Sequence, residues 1–259
     1  MSLAAAFVAG SALMLGSATA SAQDHTDAAL DFIARATPNE WGDGCSINWE
    51  VEGGFASGTT KSACFFNLSL KRAEGYADRD LRAMWGFPSP TSAVLFDFVD
   101  TSPPVGSLAP AVETYFRKIT QATGPSGIQK GDILVMDATS AYAGHTVIVT
   151  GPPSLIEPAI MPVYSGTKQY AVPIADSTED SHGCNASYPD SRWGGTCTGG
   201  YMDPGADTGF LRVYTDSLSG VLLGFTWSVT SSLASYYSPT ARPYRVGRLF
   251  NLPAPISGP

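Results

Sequence analysis

Basic residues are scarce in this chain. Lys and Arg together number 15 against 23 acidic residues, leaving a net charge of −8 over 259 residues. That balance argues against a nucleic-acid partner, because phosphate binding needs a basic face. It argues equally against docking on an anionic membrane surface. Histidine is rarer still, with three residues, and no pair of them completes a zinc spacing with the cysteines. The sequence also lacks a G-x-S-x-G elbow, a phosphate-binding glycine loop and an H-E-x-x-H helix. Its Asp-rich stretches, 176–180 and 203–207, do not match a calcium loop. No cofactor is expected.

What the chain does contain is apolar sequence, glycine and proline. Hydrophobic residues make up 44 % and charged residues 15 %, with 27 Gly and 19 Pro. A chain of this kind and length can bury a sizeable core in one loop-rich domain. Residues 1–22 are apolar, carry no charge and end in Ala20-Ser21-Ala22. They read as a secretory signal cleaved after Ala22, although no Lys or Arg precedes the apolar run. The mature protein is therefore expected to be secreted or periplasmic, with no stable membrane insertion once the signal is removed. Residues 28–252 read as the folded domain and 253–259 as a flexible Pro-rich tail.

Periodicity predicts a helix over 28–36, stopped by Pro38, and then a loop or short hairpin over 39–62. A second helix is predicted from Ser62, a plausible N-cap, to a stop at Gly75. The segment 86–108 reads as a long connection around a short strand, 94–98, and 111–122 as an amphipathic helix. Strands are predicted at 133–136, 145–150, 170–176, 210–214, 222–229 and 244–250. Helices first and consecutive strands afterwards describe an α+β fold with a mainly antiparallel sheet.

Three residues carry candidate chemistry. Cys64 falls in the first turn of its helix, where exposed N–H groups and the helix dipole favour a thiolate. His145 opens a strand directly after Gly144 and is placed to act as its base. Asp176 closes the next strand and can fix the imidazole tautomer. The four cysteines leave two readings open for Cys64. It is either a free nucleophile or a half-cystine paired with Cys45, and a bridge there removes the nucleophile. Cys184 and Cys197 flank a Gly-, Ser- and Pro-rich stretch and are expected to form a disulfide. His25 is expected to be solvated near the mature N-terminus, and His182 to end a loop or face a substrate. Arg242, Arg245 and Arg248 read as one polar face of a terminal strand; Trp193, Tyr201 and Trp227 can line a groove, with the core the preferred place for Trp227.

The order Cys on a helix, His on a strand, Asp on the following strand resembles the NlpC-like branch of papain-type peptidases and amidases. The GD-x-L…GH-x-x-I-V pairing (131–149) and the D-S-x…H-G segment (176–183) carry that resemblance. So do GTGGYMDP-, GFLRVY-, FTWS- and RPYRVGRL-like segments of an uncharacterised exported bacterial subset. The sequence after Cys64, Phe-Phe-Asn, departs from the usual Ser-x-Phe. The tyrosine often linked to the oxyanion site has no clear counterpart, Asn48 and Trp49 being nearest. The resemblance implies a Cys-bearing helix packed on a small sheet and amide hydrolysis in peptide or peptidoglycan substrates by Cys64, His145 and Asp176. A non-catalytic secreted binding module, bridged at Cys45–Cys64, and an acyl or transpeptidase-type transferase are the alternatives.

Overall fold

The computed structural model describes residues 21–108, 110–194, 197 and 201–257. All but the last two residues of the expected signal segment lie outside this range. Helix α1 (Ser21–Arg35) leads into three short strands, β1 (Ala36–Trp41), β2 (Ser46–Val51) and β3 (Phe55–Thr60). These form a small sheet in the order β1-β3-β2, so the stretch read as a loop or hairpin contains a hairpin plus one parallel strand. Three helices follow: α2 (Ser62–Glu74), α3 (Asp78–Trp85) and α4 (Ser92–Thr101).

The remaining chain is β-structure: β4 (Phe116–Ile119), β5 (Asp132–Met136), β6 (His145–Val149), β7 (Ser154–Leu155), β8 (Thr167–Thr178), β9 (Gly205–Asp216), β10 (Leu222–Thr226), β11 (Tyr236–Tyr237) and β12 (Tyr244–Leu249). They form a nine-stranded sheet in the order β11-β10-β9-β8-β6-β5-β12-β4, with β7 added to β8. The pairings along that path are antiparallel. The expected α+β layout with a mainly antiparallel sheet is therefore present.

Two expected elements exchange type. The run at 94–98 is helical, within α4. Thr91 Oγ1 accepts the Val94 N–H, and the buried Leu95, Phe96 and Val99 follow helical spacing. The stretch at 111–122 contains β4 instead of a helix. Tyr115 has φ of 61°, which breaks a helix, and Phe116–Ile119 pair across to β12. A short apolar run does not distinguish a buried strand from a buried helix, and here tertiary pairing decides.

Alternation in the central strands divides the core. Ile133 and Val135 of β5 and Ile148 of β6 face the helices, among Phe32, Phe65, Phe66 and Leu70. Leu134, Met136, Val147 and Val149 enter a second cluster with Val172, Leu211, Val213 and Phe225. Every residue of β5 and β6 is buried, so the centre of the sheet is covered on both faces. His25, expected at the surface, is fully buried and meets Phe66 edge-on at 5.6 Å. It lies in α1, whose apolar side carries it inward. Residues 253–256, expected to be a free tail, lie along α3: Tyr76 Oη donates to the Pro253 carbonyl at 2.5 Å, and the Ile256 N–H donates to Asp80 at 2.7 Å. No described helix is long and apolar enough to cross a membrane.

Candidate active site

Helix α2 begins abruptly where β3 ends. Lys61 is its extended N-cap and provides no side-chain cap; its carbonyl accepts the Cys64 N–H at 3.0 Å. The helix stops at Gly75, whose φ of 71° is the left-handed C-cap anticipated from sequence. Ser62 is the first helical residue, one place beyond the cap position expected for it. Its φ of 44° is unusual for a residue with a Cβ. Its hydroxyl accepts the Thr146 N–H at 3.1 Å and meets Ser92 Oγ at 3.0 Å. Ser92 in turn reaches Thr146 Oγ1 at 2.9 Å. This hydroxyl cluster ties the start of α2 to the residue following His145.

His145 opens β6, paired with Met136, and Gly144 before it is required twice over. Its φ is 83°, and a Cβ there would lie 2.9 Å from the Met136 carbonyl oxygen. The Nε2 of His145 lies 2.6 Å from Oδ2 of Asp176, and this carboxylate is fully buried in β8. With the carboxylate ionised, Nε2–H is the donor and Nδ1 is left as the basic nitrogen. His145 and Cys64 line one cavity of about 770 Å³, together with Trp41, Tyr142, Trp227 and Arg242. The structure thus brings all three candidate residues to one place.

Asp176 is the centre of a buried network that the sequence did not reveal. His182 Nε2 reaches the same Oδ2 at 3.0 Å, and Arg192 Nη2 donates to Oδ1 at 2.6 Å. His182 does lie in the loop that follows β8, but it does not face a substrate: it is fully buried beneath Trp227, ring to ring at 4.2 Å. Asp190 completes the network by accepting from the His182 N–H at 2.7 Å and from Arg192. Burial alone would raise the Asp176 carboxyl. The charges of His182 and Arg192 and the imidazole hydrogen bonds overcome it and hold the group well below the usual carboxylate range. The D-S-x…H-G segment gave a signal for His182; nothing marked Arg192 or Asp190.

Other expectations resolve by position. Trp227 stands in the cavity wall, with His145 edge-on at 5.0 Å. Trp49 packs on Phe32 at 5.8 Å, away from an oxyanion role, and Asn48 is exposed. Arg245 and Arg248 are polar-face residues paired with Asp100 and Asp132. Asp132, from the GD motif, is thereby structural.

Cys184 and Cys197 are bridged as expected, with Cα atoms 5.1 Å apart. The Cys184 sulfur accepts the Asp190 N–H at 3.1 Å, so this bridge supports the Asp176 network. Cys64 is also bridged, to Cys45 in the turn between β1 and β2, with Cα atoms 5.6 Å apart. No cysteine among the described residues is free. The expectation of a free Cys64 thiol is therefore corrected for this state. The two residues are 19 apart in sequence, but the β1–β3 sheet folds the turn back over the start of α2. Two disulfides fit an oxidising, extracellular environment. Searches with the chain find no matching family model, no similar curated protein and no similar solved structure.

Proposed function

We propose that this protein is an exported thiol hydrolase of peptide or amide bonds, on an NlpC-like, papain-type fold, with cell-wall peptides as its natural substrate class. The observation that carries this reading is the His145–Asp176 pair opening onto the cavity that Cys64 also lines. A buried carboxylate held ionised by Arg192, and bonded to the far nitrogen of an imidazole, is an arrangement for a base. Unlike His182 on the same carboxylate, His145 lines the cavity.

Bridged to Cys45, the Cys64 sulfur has no thiolate to offer. A thiol reductant opens the bridge, giving two thiols here and a disulfide on the reductant. Cys64 then passes its proton to His145 Nδ1 and attacks the substrate carbonyl. On this reading backbone N–H groups at the start of α2 stabilise the developing oxyanion, the Cys64 N–H having to turn from the Lys61 carbonyl to do so. His145 returns the proton to the leaving amine, and water hydrolyses the thioester. No metal or organic cofactor enters these steps.

The Cys45–Cys64 bridge favours a second reading, a disulfide-stabilised binding module that uses the same cavity. One experiment separates the two. The Cys45→Ser variant leaves Cys64 unbridged. On the first reading it hydrolyses soluble stem peptides without reductant, the wild type does so only after dithiothreitol, and Cys45→Ser/Cys64→Ala is inert. A folded Cys45→Ser variant with a titratable Cys64 thiol and no hydrolysis would leave the binding module.

A further inference from the structure

Arg242 stands apart from the other cavity residues. Its guanidinium lies between two tyrosine rings, 3.9 Å from the Tyr142 centroid and 3.8 Å from that of Tyr237. Tyr142 comes from the loop before β6, and Tyr237 is the last residue of β11. The backbone N–H of Arg242 is fixed by the Ser238 carbonyl at 3.0 Å. Two ring contacts this close restrain the side chain and leave its N–H edge as the part that can hydrogen-bond.

That edge has no protein partner among the described residues. Arg35, Arg72, Arg117, Arg192, Arg245 and Arg248 each pair with a carboxylate. Lys61, the other cation lining the cavity, pairs with Asp43. Glu179 and Asp180 line the cavity from the end of β8, and neither forms an ion pair with Arg242. The sheet also sets its position relative to the catalytic end. Tyr244 pairs with Met136, and Met136 with His145. Arg242, two residues before Tyr244, therefore lies at the same end of the strands as the His145 imidazole.

We infer that Arg242 is the anion-recognition element of the cavity and binds a carboxylate of the peptide ligand through its open edge. A planar fork with a free edge matches a carboxylate in bidentate fashion. One cation sharing its cavity with Glu179 and Asp180 suits a singly charged group better than a phosphate dianion. The inference rests on the cavity being the peptide site. It does not require that the site be catalytic.

The test uses the oxidised wild-type protein, in which no hydrolysis is possible, so it is independent of the thiol chemistry. Binding is measured by calorimetry for four peptide probes and for inorganic phosphate. Acetyl-Ala-Ala carries a terminal carboxylate and acetyl-Ala-Glu-amide a side-chain carboxylate. Acetyl-Ala-Ala-amide and acetyl-Ala-Gln-amide are their neutral counterparts. One carboxylate probe should bind about tenfold or more tightly than its amide, and which one does so identifies the source of the carboxylate. Arg242→Gln should remove that preference, so that acid and amide bind alike. Arg242→Lys should retain part of it, since the charge remains but the planar fork is lost. If Arg242→Gln does not fold, Arg242→Lys decides. Equal binding of acid and amide, no binding of either acid at millimolar concentration, tighter binding of inorganic phosphate, or a preference unchanged by the substitution would each overturn the inference.

Discussion

His145 and Asp176 sit on adjacent antiparallel strands and meet at 2.6 Å, Nε2 to Oδ2, with the carboxylate fully buried. The contact occupies Nε2 and leaves Nδ1 as the free imidazole nitrogen, the one that the proposed mechanism assigns to the Cys64 thiol.

In the Cys45→Ser background, iodoacetamide should alkylate Cys64 at a pH well below about 8.5, the value of an ordinary thiol. Adding His145→Ala should abolish that low-pH labelling, and adding Asp176→Asn should weaken it less. Mass-mapped labelling rates across pH 5–9 provide the check. A profile centred on the ordinary thiol value and indifferent to His145→Ala would show that the two residues do not act together.

The Asp176 network also makes a stability prediction. Asp176→Asn leaves the buried Arg192 with Asp190 as its remaining carboxylate and should cost about 3 kcal/mol at pH 7. The Asp176 carboxyl is depressed in the folded state. Its contribution is therefore present above the unfolded value of about 3.9 and is lost as pH falls through the folded value. Urea unfolding of wild type and variant should give a constant gap from pH 7 down to about 4 and a closing gap below it. A gap that does not depend on pH in that acid range would exclude the carboxylate charge as its source.

His25 gives a pH dependence in a different window. Burial in α1 depresses its imidazole from 6.5 to about 4. The unfolded chain then binds the extra proton first, so wild type loses stability as pH falls from about 6.5 to about 4, in all by about 3 kcal/mol. His25→Leu removes this linkage. The difference in unfolding free energy between the two proteins should shift by that amount across the window, in the variant's favour at low pH. A flat difference would mean that the imidazole does not stay buried and neutral.

The local elements of the site were legible in the sequence. The helix from Ser62 to Gly75, the strands carrying His145 and Asp176, and the tight Gly144 before His145 all follow from spacing, capping and glycine chemistry, which act over a few residues. The loop disulfide between Cys184 and Cys197 followed from composition for the same reason. The small sheet's register, the helix at Ser92–Thr101 and the strand at Phe116–Ile119 did not, because short apolar runs take the structure of whatever they pack against. His25 went inward with the apolar side of its helix. Arg192 reaches Asp176 from 16 residues away, Asp190 braces Arg192 and His182 beside it, and Arg242 reaches the cavity from the turn before the last strand. The choice at Cys64 between free thiol and half-cystine was open in the sequence, since both fit the same spacing. It was closed by the β1–β3 sheet, which carries Cys45 back over the start of α2 to within bonding distance. Pairings of this kind depend on where distant segments converge, and that is set by the packing of the whole sheet.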